Sequence, residues 1–126
     1  MTTKLKTTKW LNNRFESSTV KTPEFLQFAR DFKSDIKNLI GDNPKVAGHY
    51  KLATYNVGHF YISGFIQNKN TGKLAYFSID DVRFSPDAWT EGVLIRTATS
   101  LSDYTGGMNR YTQFLDIAES LENLTA

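Results

Sequence analysis

Three short segments in the middle of the chain constrain its fold more than any other part. Residues 49–55, 59–67 and 73–79 are rich in aromatic and β-branched side chains, a composition typical of β-strands. Gly58 separates the first two segments, and Asn70-Thr71-Gly72 separates the last two. Connections this short join antiparallel neighbours. The sequence therefore predicts an antiparallel three-stranded meander.

A helix is predicted immediately before the meander, over residues 23–40. Thr22 suits the N-cap, Pro23 suits the first helical position, and Gly41 suits the end. Apolar side chains follow the helical period at Phe25, Phe28, Ala29, Phe32, Ile36, Leu39 and Ile40. This stripe is expected to be core.

Two further elements follow the meander. Residues 93–97 form a short β-branched segment, and residues 109–124 have a helical stripe of apolar side chains. That stripe consists of Tyr111, Phe114, Ile117, Ala118 and Leu121. The predicted fold class is α+β, an antiparallel three- to four-stranded sheet with an N-terminal and a C-terminal helix packed on one face. Burial is expected for Phe28, Phe32, Ile36, Phe114 and Leu121.

The second strand is apolar on both faces, with Ile62 and Ile66 on one and Tyr61 and Phe65 on the other. The two helices cover only one of these faces. The other face must meet residues 10–15, another chain or a ligand. A homodimer is compatible with this pattern, and the sequence leaves the oligomeric state open.

Charge divides the chain unevenly. Residues 1–21 carry a net charge of +4 and residues 101–126 a net charge of −3. We interpret residues 1–21 as a partly ordered basic arm, with a short helix near 8–16, and residues 22–126 as one domain. The arm is either a solvated surface or a binding segment for an acidic partner. In the nucleic-acid alternative its binding residues are Lys4, Lys6, Lys9 and Arg14, assisted by the sheet aromatics Tyr50, Tyr61, Phe65 and Tyr76.

The titratable residues do not form a catalytic pattern. The chain has no cysteine, and the histidines, His49 and His59, are expected at opposite ends of the first hairpin. Asp80-Asp81 point to opposite faces of an extended chain, so they cannot readily share a proton or a metal. Gly106-Gly107 lack the Lys-Ser/Thr ending of a phosphate loop. We therefore expect no enzyme activity, no metal and no cofactor.

The absence of cysteine fits the cytoplasm. No apolar run approaches the ~20 residues of a membrane span, and the N-terminus has no apolar core of the signal-peptide type. The expected location is the cytoplasm of a host cell, without membrane association.

Residues 81–112 are predicted to be largely irregular and to contact a partner. Aromatic and Arg side chains dominate protein interfaces energetically, and Met adapts to irregular pockets. The predicted partner-binding residues are Arg83, Trp89, Arg96, Tyr104, Met108 and Arg110. Two alternatives stay open. Arg83 and Arg96 either anchor a partner or brace the region against Asp81, Asp87 or Asp103, and Trp89 either lies on the surface or fills the end of the core.

The 59–112 region resembles small uncharacterised proteins of phages and mobile elements of low-GC bacteria. The resemblance rests on VRF-P-W, LIRTA and DYTGG-N-YT, and it carries over no catalytic residue. It implies a context in which small cysteine-free proteins inhibit host defence enzymes, including CRISPR nucleases, by stoichiometric binding. The expected function is thus a non-enzymatic inhibitor or adaptor of a host protein. The alternative is a nucleic-acid-binding accessory protein.

Overall fold

The fold belongs to the α+β class. The structure is a computed structural model that describes residues 5–13, 22–42, 48–58, 61–80, 82, 87–104 and 107–125. Its elements in chain order are a 3-10 helix (Lys6–Trp10), α1 (Pro23–Asp42), β1 (Tyr50–Val57), β2 (Tyr61–Asn68), β3 (Leu74–Asp80), α2 (Ala88–Glu91), β4 (Val93–Ala98), β5 (Arg110–Thr112), a 3-10 helix (Phe114–Asp116) and α3 (Ile117–Thr125).

The described strands form one five-stranded sheet in the order β1-β2-β3-β4-β5. Every neighbouring pair is antiparallel, so the predicted meander is confirmed and extends over all five strands. The β1–β2 register shifts between Leu52 and Thr54, which marks a bulge. Gly64 pairs with Tyr55 just beyond this bulge, and a Cβ atom there would collide with the Thr54 carbonyl and the Phe77 ring.

The core lies between one face of the sheet and the helices α1 and α3. Ile62 and Ile66 of β2 join the apolar stripes of both helices in a single cluster. Phe32 stacks on Phe114 with ring centroids 4.8 Å apart. The five core residues expected from the helical period, Phe28, Phe32, Ile36, Phe114 and Leu121, are all buried.

The strand count and the start of the last helix were predicted wrongly. The described sheet has five strands instead of three or four, because residues 110–112 form β5 in a region predicted to be helical. The β4 backbone would otherwise keep unpaired donors and acceptors on that side, and Tyr111 and Thr112 favour an extended chain. Tyr111 is consequently exposed instead of lying in the buried stripe.

Two smaller corrections concern the first half of the chain. Helix α1 continues through Gly41 to Asp42, so Gly41 does not end it. In place of the helix predicted near 8–16, the described residues form a 3-10 helix over Lys6–Trp10. Residues 14–16 of that prediction lie outside the described residues.

The end of α3 is attached to the β2–β3 hairpin. The last carbonyl groups of a helix lack partners within the helix. Here the Thr125 carbonyl accepts hydrogen bonds from Asn68 Nδ2 at 3.1 Å and Thr71 Oγ1 at 2.9 Å, and Tyr50 Oη lies 3.0 Å from Thr125 Oγ1. These contacts hold α3 across the core face, beside β3, β4 and β5.

Candidate functional site

The helix-free face of the sheet is covered in part by the β4–β5 loop, whose described residues are 99–104 and 107–109. Tyr104 contacts Phe65 edge-on at 5.4 Å and Tyr76 edge-on at 5.7 Å between ring centroids. Phe65 is fully buried by this cluster. The sequence required a cover for this face, and over Phe65 the cover is the chain's own loop. Residue Trp10, one candidate for that role, instead packs on Phe28 of α1.

Arg96 holds the loop against the sheet. Its side chain is only 2% exposed, and its guanidinium lies 4.5 Å from the centre of the Tyr76 ring. Nη2 donates to the Asp103 carbonyl, Nη1 donates to the Thr97 carbonyl at 3.0 Å, and Nη1 lies 3.8 Å from the Asp103 carboxylate. Arg96 therefore braces the loop from inside, with Asp103 as its partner.

Asp103 and Gly107 fix the first and the last part of the loop, respectively. The Asp103 carboxylate accepts hydrogen bonds from the Thr99 amide at 2.9 Å and the Thr99 hydroxyl at 3.1 Å. Gly107 has φ of 78°, and a Cβ atom there would lie 2.8 Å from the Thr97 carbonyl. Only glycine fits where the loop returns so closely to β4.

The loop and the segment after it carry most of the exposed large apolar side chains. Among the described residues six such side chains are exposed, and five of them lie between positions 101 and 115. We call these five the apolar segment: Leu101, Tyr104, Met108, Tyr111 and Leu115. The exposed fraction is 52% for Tyr104, 73% for Met108 and 68% for Tyr111. An exposed apolar set of this kind is typical of an interaction surface.

The structure separates the predicted partner-binding residues into two groups. Tyr104, Met108 and Arg110 are exposed at the β4–β5 end of the molecule. Trp89 is 3% exposed and packs against Phe28, Phe32 and Phe114, so it fills the end of the core, and Arg96 is buried as described. Neither Trp89 nor Arg96 presents its side chain to a partner in this conformation. Arg83 lies outside the described residues.

Within the predicted basic arm, the described residues 5–13 pack against α1. Asp35 accepts hydrogen bonds from the Lys6 amide at 2.8 Å, the Thr7 amide at 2.9 Å and the Thr7 hydroxyl at 2.6 Å. Its buried carboxylate thus caps the start of the 3-10 helix, whose first N–H groups have no partner within the helix. Lys4 and Arg14 lie outside the described residues.

Asp31 forms a second attachment for the same segment. It accepts hydrogen bonds from Trp10 Nε1 and Gln27 Nε2, each at 2.9 Å, and pairs with Lys9 Nζ at 3.2 Å. Burial by itself raises the pKa of Asp31, but the hydrogen bonds from Trp10, Gln27 and Lys9 and the charge of Lys9 outweigh it and lower the pKa. Ionised Asp31 therefore stabilises the fold above about pH 4, and this contribution is lost as the pH falls through the lowered pKa.

The sheet aromatics of the nucleic-acid alternative are not free for base stacking as a set. Tyr50 and Phe65 are buried, and Tyr76 is half-buried between Arg96 and Tyr104. Lys9, from the arm, is paired with Asp31. The side chain of Tyr61 lies outside the described set.

The described residues contain no group of three or more His, Cys, Asp or Glu that could hold a metal ion. His49 is exposed in a turn before β1, and His59 lies outside the described residues. Burial raises the pKa of the Tyr55 phenol, whose hydroxyl donates to the Ala29 carbonyl at 2.6 Å. Tyr55 is thus a neutral structural donor between β1 and α1.

Sequence reasoning missed Tyr111, Leu101 and Leu115 as exposed residues. Tyr111 stands between Arg110 and Thr112, and this polar–apolar–polar alternation is typical of a half-exposed strand. The sequence-based prediction instead followed the longer helical pattern of the next residues, which placed Tyr111 in the last helix. No comparable local signal distinguishes Leu101 or Leu115.

Comparison with protein families, with curated proteins and with solved structures finds no match to this chain. Among the described residues, no helix has the length and apolar character needed to cross a bilayer.

Proposed function

We propose that this protein acts by stoichiometric binding to another protein, through the exposed apolar segment at its β4–β5 end. The observation that carries the proposal is the concentration of five of the six exposed large apolar side chains of the described residues between positions 101 and 115. Exposed apolar area is unfavourable in water and is retained where a partner covers it.

The loop that carries Tyr104 and Met108 supports this proposal. Arg96, Asp103 and Gly107 attach the described parts of the loop, residues 99–104 and 107–109, to β4 by the contacts described above. A surface ordered in advance loses less conformational entropy on binding than a flexible one does. Binding, rather than catalysis, is the activity that such an exposed apolar surface supports.

The partner class that we propose is a host protein, with a defence enzyme such as a CRISPR nuclease as the first candidate. The support for this class is the resemblance of residues 59–112 to small phage and mobile-element proteins. Small inhibitors of this kind act by occupying a surface of the target, which is compatible with an exposed apolar set on a small, braced loop.

Affinity capture from host lysate tests the proposal with a matched pair of variants. The double variant Tyr104→Ser/Met108→Ser removes two members of the apolar segment, whereas Leu11→Ser removes the one exposed large apolar side chain that the described residues place outside it. We expect the double variant to recover at least tenfold less of the captured protein than wild type, and Leu11→Ser to match wild type. Circular dichroism must show that both variants are folded.

Equal recovery by the two variants would contradict the proposal. Nuclease treatment of the lysate distinguishes the nucleic-acid alternative. Capture that disappears after this treatment, and that falls steeply as salt rises, would support phosphate contacts in place of a protein interface.

A further inference from the structure

Strand β5 is an edge strand with a free side. It pairs with β4 only, through Val93–Thr112, Leu94–Tyr111 and Ile95–Arg110, and the described part of the chain places no strand on its outer side. The chain stays extended one residue further, since Gln113 has φ −69° and ψ 144°. Backbone donors and acceptors along this side are therefore available to an added strand.

The opposite edge of the sheet, β1, is less suited to such pairing. The bulge between Leu52 and Thr54 interrupts its regular spacing, and Lys51 is exposed along it. Bulges and lysines are common features of edge strands that do not pair. Strand β5 is only three residues long and carries Arg110, but its register with β4 has no shift, so β5 is the more regular edge of the two.

The two faces of a strand added to β5 would contact different side chains. Arg110 and Thr112 pair with the core residues Ile95 and Val93 and so lie on the helix face, whereas Tyr111 lies on the helix-free face. A hydrogen bond of 2.8 Å from Ser120 Oγ of α3 to Thr112 Oγ1 is consistent with this assignment. Alternate side chains of the added strand would therefore point towards α3 and towards Tyr111.

A cavity of about 100 Å³ opens on the α3 side of β5. Its lining residues are Ile95, Arg110, Tyr111, Ser120, Asn123 and Leu124. A water molecule occupies about 30 Å³ in the liquid, so the cavity has room for a short side chain. Arg110 is the only charged lining residue, and no carboxylate among the described residues forms an ion pair with it.

We infer that β5 binds an extended segment of the partner by strand addition, with an Asp or Glu side chain of that segment in the Arg110 cavity. A guanidinium without a carboxylate partner matches a carboxylate in charge and geometry. On the other face, exposed Tyr111 pairs with an aromatic or β-branched side chain. Because side chains alternate along a strand, the recognised sequence has the acidic and the apolar residue directly adjacent. This inference rests on the proposed function and specifies how the same end of the molecule contacts its partner.

A displayed library of random nine-residue peptides, selected against the full chain, tests the inference. We expect enriched peptides to share an Asp or Glu next to an aromatic or β-branched residue. A synthetic copy of the most enriched peptide should bind Arg110→Gln at least tenfold more weakly than wild type. Arg30→Gln, which alters an exposed arginine on α1, should bind it like wild type.

A backbone probe separates strand addition from a side-chain contact alone. N-methylation of the peptide at the residue that pairs with β5 should weaken binding at least tenfold, and the peptide should slow amide exchange at residues 110–112. Failure to enrich any peptide, equal binding to Arg110→Gln and wild type, or indifference to N-methylation would each overturn the inference. We expect the Tyr104→Ser/Met108→Ser variant to bind the peptide as wild type does. A failure of the proposed function, seen in the lysate capture, can therefore be distinguished from a failure of this inference, seen in the peptide selection.

Discussion

Arg96 brings a positive charge into a place where an unpaired charge is unfavourable. Its burial is compensated by two carbonyl groups, by the Asp103 carboxylate and by the face of Tyr76. Most of these groups belong to or contact the β4–β5 loop. The residue therefore acts on the exposed surface indirectly, since it positions the loop that carries Tyr104.

Replacement of Arg96 by alanine is expected to destabilise the protein by about 2–3 kcal/mol, because hydrogen bonds to a charged group are lost and the Asp103 carbonyl loses its donor. Arg110→Ala is the matched control, since Arg110 is exposed and surface substitutions usually stay within about 0.5 kcal/mol. Urea unfolding of both variants measures the difference. Equal midpoints would show that Arg96 does not brace the loop.

At the scale of elements, the N-terminal 3-10 helix depends on α1 for its stability. Five residues of 3-10 helix are not stable alone, and the carboxylates of Asp31 and Asp35 supply the partners that its backbone and Trp10 require. The sequence predicted a partly ordered basic arm over residues 1–21, and within it two acidic residues of the next helix hold residues 6–10 in place.

Asp35→Ala is expected to lower the free energy of unfolding by about 2–3 kcal/mol, because the Lys6 and Thr7 amides lose their acceptor in a buried setting. Hydrogen exchange should accelerate at residues 6–10 while the amides of β2 and β3 keep their relative protection. Asp80→Ala, which alters an exposed aspartate at the end of β3, is the control. Unchanged exchange at residues 6–10 would contradict the capping role of Asp35.

For the whole molecule, stability depends on one aromatic core that joins α1, α2 and the 3-10 helix before α3. Phe32 stacks on Phe114 and contacts Trp89 edge-on at 6.5 Å. Three elements that are distant in sequence therefore meet at these rings, beside the core face of the sheet. The loss of a central ring should therefore affect the whole fold.

Phe32→Ala should destabilise the protein by roughly 3–5 kcal/mol, the range found for large-to-small changes in protein cores. The measurement is chemical unfolding followed both by far-ultraviolet circular dichroism and by Trp fluorescence. We expect the two signals to shift together, because Trp89 packs directly on the altered ring. An unfolding midpoint equal to that of wild type would rule out this packing.

Local patterns in the sequence were sufficient to predict secondary structure and burial where a residue's neighbours in the chain decide its environment. The stripe of α1, the hairpin turn at Asn70–Gly72 and the alternation of Ile62 and Phe65 in β2 depend only on period and turn chemistry. The structure agrees with each of them. The burial of Phe28, Phe32 and Ile36 follows from the same periodicity.

Tertiary contacts decided which of two distant segments occupies a given place in the fold. Residues 110–112 became a strand because β4 presented an unpaired edge, and Tyr104, not Trp10, covered Phe65 because the β4–β5 loop folds back over its own sheet. The sequence offered Arg96 and Trp89 either as partner-binding residues or as internal ones, and the structure buries both, because whether such residues face inward or outward depends on which groups surround them. That information lies in the packing of remote segments, since a short window of sequence does not contain the partners that satisfy a buried charge or ring.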